Sequence, residues 1–248
     1  PQWFSSASSR DVTTTPIQSL LLLNSPFMLK RGELLAARVA QEAPGDEAAQ
    51  VRRLYQLLFA RAPNAVEAKR AVRFVETRRA RCAVLEEARA RGDLALRTTH
   101  GDPKVGNIMI DEATGRGTCI VDLDTVQPGL VHYDIGDATR SVCNPAGEDA
   151  PELGSVIFDL DLFTMFYRGY QAHARDFLSP ADHRHLFDCI HLIPLELGLR
   201  FLADHLAGDV YFKVRYPGHN LRRALVQFKL AESIEAREPA IRKVLGEP

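Results

Sequence analysis

A short β-forming interlude inside an otherwise helical chain sets the limits on what this sequence can fold into. From Leu94 the residue pattern changes abruptly. Leu94 to Thr99 predicts a strand, and Asn107–Asp111 with Thr118–Leu123 predict the two arms of a hairpin. Glu112-Ala113-Thr114-Gly115-Arg116-Gly117 supplies the turn between the arms. Upstream, Thr15-Pro16-Ile17-Gln18 is a helix start: Thr15 caps, Pro16 takes the first helical position and Gln18 reaches back. A second helix is expected after Pro26, and a third from about Asp46 to Ala60 with Val51, Leu54, Leu57 and Leu58 on one face. Ala62-Pro63-Asn64 breaks it, and Asn64 with Glu67 starts a fourth. The charged, Ala-rich stretch from Arg78 predicts a solvated helix ending at Gly92. Downstream, helices are expected over 134–142, 153–176, 181–206 and 219–236. The fold class that follows is α+β and mainly helical, with an all-helical segment at 1–78 and a small hairpin sheet set among helices in 79–248.

Composition narrows the function classes. Of 248 residues, 46% are hydrophobic and 25% charged, the mix of a soluble globular protein with one large or two small domains. Lys+Arg is 31 against Asp+Glu 32, a net charge of −1, so no nucleic-acid partner is expected. The longest apolar run, Ile17–Leu23, is broken by Gln18 and Ser19 and falls short of the ~20 residues a membrane span needs. Cys82, Cys119, Cys143 and Cys189 are scattered with no CxxC pair, which argues against a zinc site or disulfide framework and for reduced thiols in a cytoplasmic protein. The chain begins at Pro1 without a signal peptide, which suggests a fragment or a processed chain.

The chemistry-bearing residues fall in the interlude. His100-Gly101-Asp102-Pro103-Lys104-Val105-Gly106-Asn107 is followed by Ile120-Val121-Asp122-Leu123-Asp124. Asp102 lies in a loop after a strand, Asn107 opens the next strand, and the hairpin returns Asp122 beside Asn107. Three oxygen-bearing side chains then converge at one end of a small sheet. Phosphoryl transfer needs such a set: a carboxylate to accept the proton of an attacking hydroxyl, and hard oxygen ligands to hold Mg²⁺ against phosphates. The competing reading is a pair of turn-capping Asp and Asn residues. The histidines offer no metal site, since His183, His185 and His191 share one face of the expected helix only in part.

His-Gly-Asp-x4-Asn followed by Ile-Val-Asp resembles the catalytic and metal loops of the aminoglycoside phosphotransferase and choline kinase superfamily. Further motifs are similar to N-acetylhexosamine 1-kinase and its relatives. They are Asp122-Leu123-Asp124-Thr125-Val126-Gln127-Pro128-Gly129, Tyr133-Asp134-Ile135-Gly136-Asp137, Gly198–Asp204, Gly208–Lys213 and Gly218–Leu221. The resemblance covers roughly 80–240 and implies the C-terminal lobe of a protein-kinase-like fold. It implies Asp102 as base on a sugar hydroxyl, Asn107 and Asp122 as Mg²⁺ ligands, and Asp124 as a further metal candidate. It also implies Asp134 or Asp137 as a brace on the loop amides, and Arg200 and Tyr211 as sugar contacts. ATP is the implied phosphoryl donor, and a hexosamine-like sugar and a nucleotide are the implied partners.

Arg200 has a case of its own. It ends an apolar helix segment, Leu192–Leu202, where an unpaired charge is costly, and either a ligand hydroxyl or a helical-spacing pair with Glu196 or Asp204 relieves it. Tyr211 reads equally as an ordinary core or surface aromatic. His100 is expected to pack, not to catalyse. No strand–Gly-rich turn–strand pattern precedes residue 94, so the lobe that covers the nucleotide is expected to be missing. Residues 1–78, through Arg10–Leu20, Leu22–Phe27 and Val51–Glu67, resemble the C-terminal helical domain of planctomycete cytochrome-c-associated proteins, whose function is unknown. The alternative to an enzyme is therefore an incomplete kinase fragment or fusion that binds a sugar or a protein.

Overall fold

The computed structural model describes residues 36–59, 73–74, 77–78, 81–174, 176–206 and 208–246. The helix starts at Thr15–Pro16 and after Pro26, and most of the fourth helix, lie outside these residues. Helix α1 is Glu47–Phe59, where a helix was expected, and the Asp46 carboxylate caps it by accepting from the Ala49 amide at 2.9 Å. Helix α2, Val84–Ala90, departs from the expected solvated helix. Leu85 and Ala88, three residues apart, are buried in the core. Alanine carries too little apolar signal for that stripe to stand out among charges.

The interlude forms two separate two-stranded antiparallel sheets. Strand β2, Ile108–Ile110, pairs with β3, Gly117–Ile120, as the expected hairpin, with an irregularity between Met109 and Ile110. Strand β1 is only Arg97–Thr99, and its partner is β4, Gln127–Gly129. Propensity does not flag Gln-Pro-Gly as a strand. Close packing selects it: a Cβ at Gly129 would lie 2.7 Å from the Thr99 hydroxyl.

Helix α3 runs Val131–Val142, three residues earlier than expected. Helix α4 is Leu160–Ala174, shorter than the expected 153–176 because 153–155 forms a 3₁₀ turn. Asp159 starts it by accepting from the amides of Asp161 and Leu162, both at 2.9 Å. The single helix expected at 181–206 is two, α5 (Pro180–Arg184) and α6 (Leu186–Leu206), divided at His185. That break leaves His183 and His191 on different helices. Helices α7 (His219–Glu235) and α8 (Glu238–Leu245) complete the fold. No helix among the described residues is long and apolar enough to cross a membrane, and the four cysteines are free.

Helix α6 is the central element, packed on α3 and α7 around Phe158, Phe163, Phe187, Ile190, Leu230 and Ile234. Two glycines permit the close approach. Gly136 of α3 abuts Ile193 and the Cys189 carbonyl, and Gly198 of α6 abuts the Phe228 ring of α7. The residues before α2 are tied to the C-terminal helices by ion pairs Arg78–Glu235 (2.6 Å) and Arg81–Glu238 (2.9 Å) and by an edge contact of Phe74 on Phe228.

Helix α5 anchors β1. Ser179 and Asp182 form a capping box, and the buried Asp182 carboxylate also takes Arg97 at 2.7 Å. Burial alone would raise the Asp182 pKa, but Arg97 and the Ser179 donors hold it below its ordinary 3.8. A depressed folded-state pKa contributes stability above the unfolded value and loses it as pH falls through the lower folded value. Asp182→Asn is therefore expected to cost about 1–3 kcal/mol at neutral pH. Thermal melts of parent and variant should converge as pH drops below 3.8.

Candidate active site

Strand β1 delivers the chain into the loop His100–Asn107, and α3 holds that loop from one side. The Asp134 carboxylate accepts from the amides of His100 (2.7 Å) and Gly101 (2.9 Å). Seven residues on, on the same face of α3, the Ser141 hydroxyl accepts from the Val105 amide at 3.0 Å. Burial pushes the Asp134 pKa up against the pull of the two amides. Asp137 does not touch the loop amides; it takes the buried Arg140 guanidinium at 2.6 Å. Burial alone would lower the Arg140 pKa, but Asp137 and Glu148, which accepts from Arg140 at 3.2 Å, carry it upward.

The β3–β4 connection holds the loop from the other side. The Thr125 hydroxyl donates to the His100 carbonyl at 2.6 Å. The His100 ring accepts the Asp102 amide at Nδ1 (3.3 Å) and meets the Val121 carbonyl at Nε2 (3.0 Å), which fits the neutral ring protonated at Nε2. His100 thus cross-braces the His100–Asn107 loop and the β3–β4 connection. Gly101 has φ +84°, and a Cβ there would lie 2.7 Å from the Thr125 carbonyl oxygen, so glycine alone fits. Gly101→Ala is expected to misplace Asp102, seen as lost activity in a variant that still melts cooperatively.

Asn107 is buried, and its side-chain amide donates to both the Asp102 carbonyl (2.8 Å) and Oδ2 (3.2 Å). Lys104 Nζ also pairs with Asp102 Oδ2. Oδ2 is therefore the fixed oxygen, and Oδ1 receives no hydrogen bond among the described residues. The Val121 amide donates to the Asn107 carbonyl at 2.9 Å, one step beyond the Ile108–Ile120 pair. Asp122 follows at once, in the left-handed region at φ 67° and ψ 54°, and turns the chain out of β3. Asp122 and Asp124 are exposed, and among the described residues no hydrogen bond or ion pair engages either carboxylate.

Asp102, Asn107 and the start of the Asp122 turn are thus linked by direct hydrogen bonds. Among the described residues no three His, Cys, Asp or Glu side chains gather as a metal site. The donor set still suits Mg²⁺, which keeps several waters and takes one or two protein oxygens beside substrate phosphates. Asn107 uses its NH₂ on Asp102, which leaves Oδ1, and the Asp122 carboxylate lies open nearby.

Arg200 lies on α6, and Tyr211 lies in the loop between α6 and α7. Arg200 pairs with Glu196 one helical turn away. Tyr211 stacks edge-on to Phe212, 4.5 Å between centroids. Its loop is held by Asp204, which accepts from the amides of Tyr211 (2.7 Å) and Phe212 (2.9 Å) and from Asn220 (2.8 Å). Sequence reasoning missed Thr125 and Ser141 as loop supports. Spacing offered a signal for Ser141 alone, at helical register from Asp134.

A family model described as the phosphotransferase enzyme family matches residues 31–174. The matched stretch holds Asp102, Asn107, Asp122, Asp124, Asp134 and Asp137, and ends before Arg200 and Tyr211. It begins upstream of residue 79, the expected start of the second domain.

Proposed function

Because the chain belongs to the phosphotransferase enzyme family, we propose that it transfers a phosphoryl group from ATP, with Mg²⁺, to a hydroxyl of a hexosamine-like sugar. The observation that supports this most is the linked set Asp102–Asn107–Val121, which leaves one oxygen of Asp102 open beside the Asp122 turn. Asp102 Oδ1 accepts the proton of the sugar hydroxyl as it attacks. Lys104 and Asn107, both on Oδ2, fix the rotamer of the base. Asn107 Oδ1 and Asp122 would hold Mg²⁺, with Asp124 as a further oxygen donor, and a metal held there would supply positive charge against the phosphates. Asp134 positions the loop. Arg200 and Tyr211 contact the sugar, a role suggested by the resemblance.

The test is transfer of labelled γ-phosphate from ATP to N-acetylglucosamine or N-acetylgalactosamine, with and without Mg²⁺. Transfer to neither sugar overturns the reading. Sugar binding without transfer favours the alternative, a binding module derived from a kinase. In an active chain, Asp122→Ala should lower kcat by about 10²-fold or more, as loss of an electrostatic transition-state contact does. It should also raise the Mg²⁺ concentration needed for half-maximal rate, whereas Asp124→Ala should do so weakly.

A further inference from the structure

Every residue of strands β2 and β3 is exposed, Ile110 at 57%. Ile108, Met109, Ile110, Ile120 and Val121 make the outside of the hairpin apolar. A two-stranded hairpin is marginal in water by itself, and an exposed apolar edge is a template for a further strand. Strand β3 has such an edge. The Val121 amide bonds the Asn107 carbonyl, so the neighbouring Ile108–Ile120 pair is the unbonded kind, and the N–H and C=O of Ile120 point away from β2. The register also skips Thr118, because Met109 stands opposite Cys119 and Ile110 opposite Gly117. The extended edge ends at Asp122, whose left-handed conformation turns the chain away.

This edge, Gly117–Val121, is complementary to itself, and its midpoint is Cys119. Antiparallel pairing with a second copy about that midpoint sets Ile120 against Thr118 of the copy. The two Cys119 residues then fall in the unbonded position, with Cα atoms about 4.5 Å apart. The same register sets Arg116 against Asp122 of the copy. Both side chains are exposed, and among the described residues neither makes an ion pair. Opposite charges across antiparallel strands attract, and twofold symmetry supplies the pair at both ends. Neighbouring registers fit worse. Centring on Thr118 sets Arg116 against Ile120, and centring on Ile120 needs the strand to continue through the Asp122 turn.

We propose that the free edge of β3 is a docking surface for a second copy of this chain, whose own β3 adds antiparallel about Cys119 to complete a four-stranded sheet. Arg116 of each copy then meets the carboxylate that the phosphotransferase reading gives to the metal, so the dimer is a form in which Asp122 is engaged. That consequence rests on the reading above; the pairing does not.

The test is sedimentation velocity of the full chain over a dilution series in reducing buffer, followed by diamide oxidation and peptide mapping. A reversible dimer is expected. Diamide takes the electrons and protons of two thiols, and it should join the copies through Cys119, at a Cα spacing that a disulfide spans. Cys82, also exposed, is the internal comparison. Arg116→Glu sets like charges opposite each other at both ends and should weaken the dimer about tenfold, less so at high salt. A monomer at every dilution, a link made mainly through Cys82, or an Arg116→Glu dimer as tight as the parent's would each overturn the proposal. The map on the unaltered chain decides it whether or not the variant folds. Phosphate transfer by a chain that stays monomeric overturns the dimer and leaves the kinase reading. A Cys119-centred dimer whose diluted, reduced monomer transfers no phosphate overturns the kinase reading and leaves the dimer.

Discussion

Asp102→Asn should abolish phosphate transfer, with kcat lower by about 10²–10⁴-fold, the range a positioned general base supplies. The substitution is nearly isosteric. Its carbonyl oxygen would turn toward Lys104 and the Asn107 amide, the two donors that meet Oδ2 in the parent. The new NH₂ then occupies the place of Oδ1, where it can donate to the sugar hydroxyl but cannot take its proton. Binding of N-acetylglucosamine should persist, because the new NH₂ still offers the sugar hydroxyl a hydrogen bond in the place of Oδ1. The decisive comparison is kcat against sugar affinity in the same variant. A parent-like kcat would remove Asp102 from the role of base. Loss of kcat together with an unchanged thermal midpoint would separate chemistry from folding.

Gly136→Ala should be the most destabilising single-methyl change in the helical core. The added Cβ would lie 2.7 Å from the Cys189 backbone carbonyl and would overlap the Ile193 side chain on α6. A backbone atom in a central helix cannot move aside as a side-chain tip can, so α3 and α6 must separate. Overpacking of this kind costs about 1–3 kcal/mol, against at most ~1 kcal/mol regained from better helix propensity. A calorimetric midpoint lower by roughly 2–8 °C is the expected result for a domain of this size. Gly198→Ala is the control. Its Cβ meets the Phe228 ring, a side chain able to rotate, so its loss should be smaller. Equal melting points for Gly136→Ala and the parent would show that the α3–α6 approach is looser than the packing implies. The variant should also lose activity, because α3 carries Asp134 and Ser141 to the loop.

Local residue patterns carried much of the architecture. The turn Glu112–Gly117 between two apolar runs specifies the β2–β3 hairpin because strand propensity, alternation and glycine placement agree. The core helix α6 is apolar enough to be found by composition alone, although the break at His185 was not. The short helix before that break, α5, is started by a capping box at Ser179 and Asp182, and the carboxylate of Asp182 has its partner, Arg97, 85 residues away. Strand β4 is the opposite case from the hairpin. Gln127-Pro128-Gly129 has no strand signal, and only the tight seat of Gly129 against Thr99 makes it one.

The same division runs through the site. Residue type and spacing single out the candidates for the chemistry. Asp102, Asn107 and Asp122 sit at a spacing that a single hairpin must bring together, since pairing Ile108 with Ile120 places the residues beyond them side by side. The tertiary structure decided how the loop is held and which of two aspartates holds it. Asp134 and Asp137 are three residues apart on one helix, and both could face the loop. Asp134 takes the amides of His100 and Gly101, while Asp137 turns to the buried Arg140. That choice depends on where α3 lies against β1 and on the charge of Arg140, which cannot be left buried without a partner. Neither quantity is local, so only the packed helices could fix it.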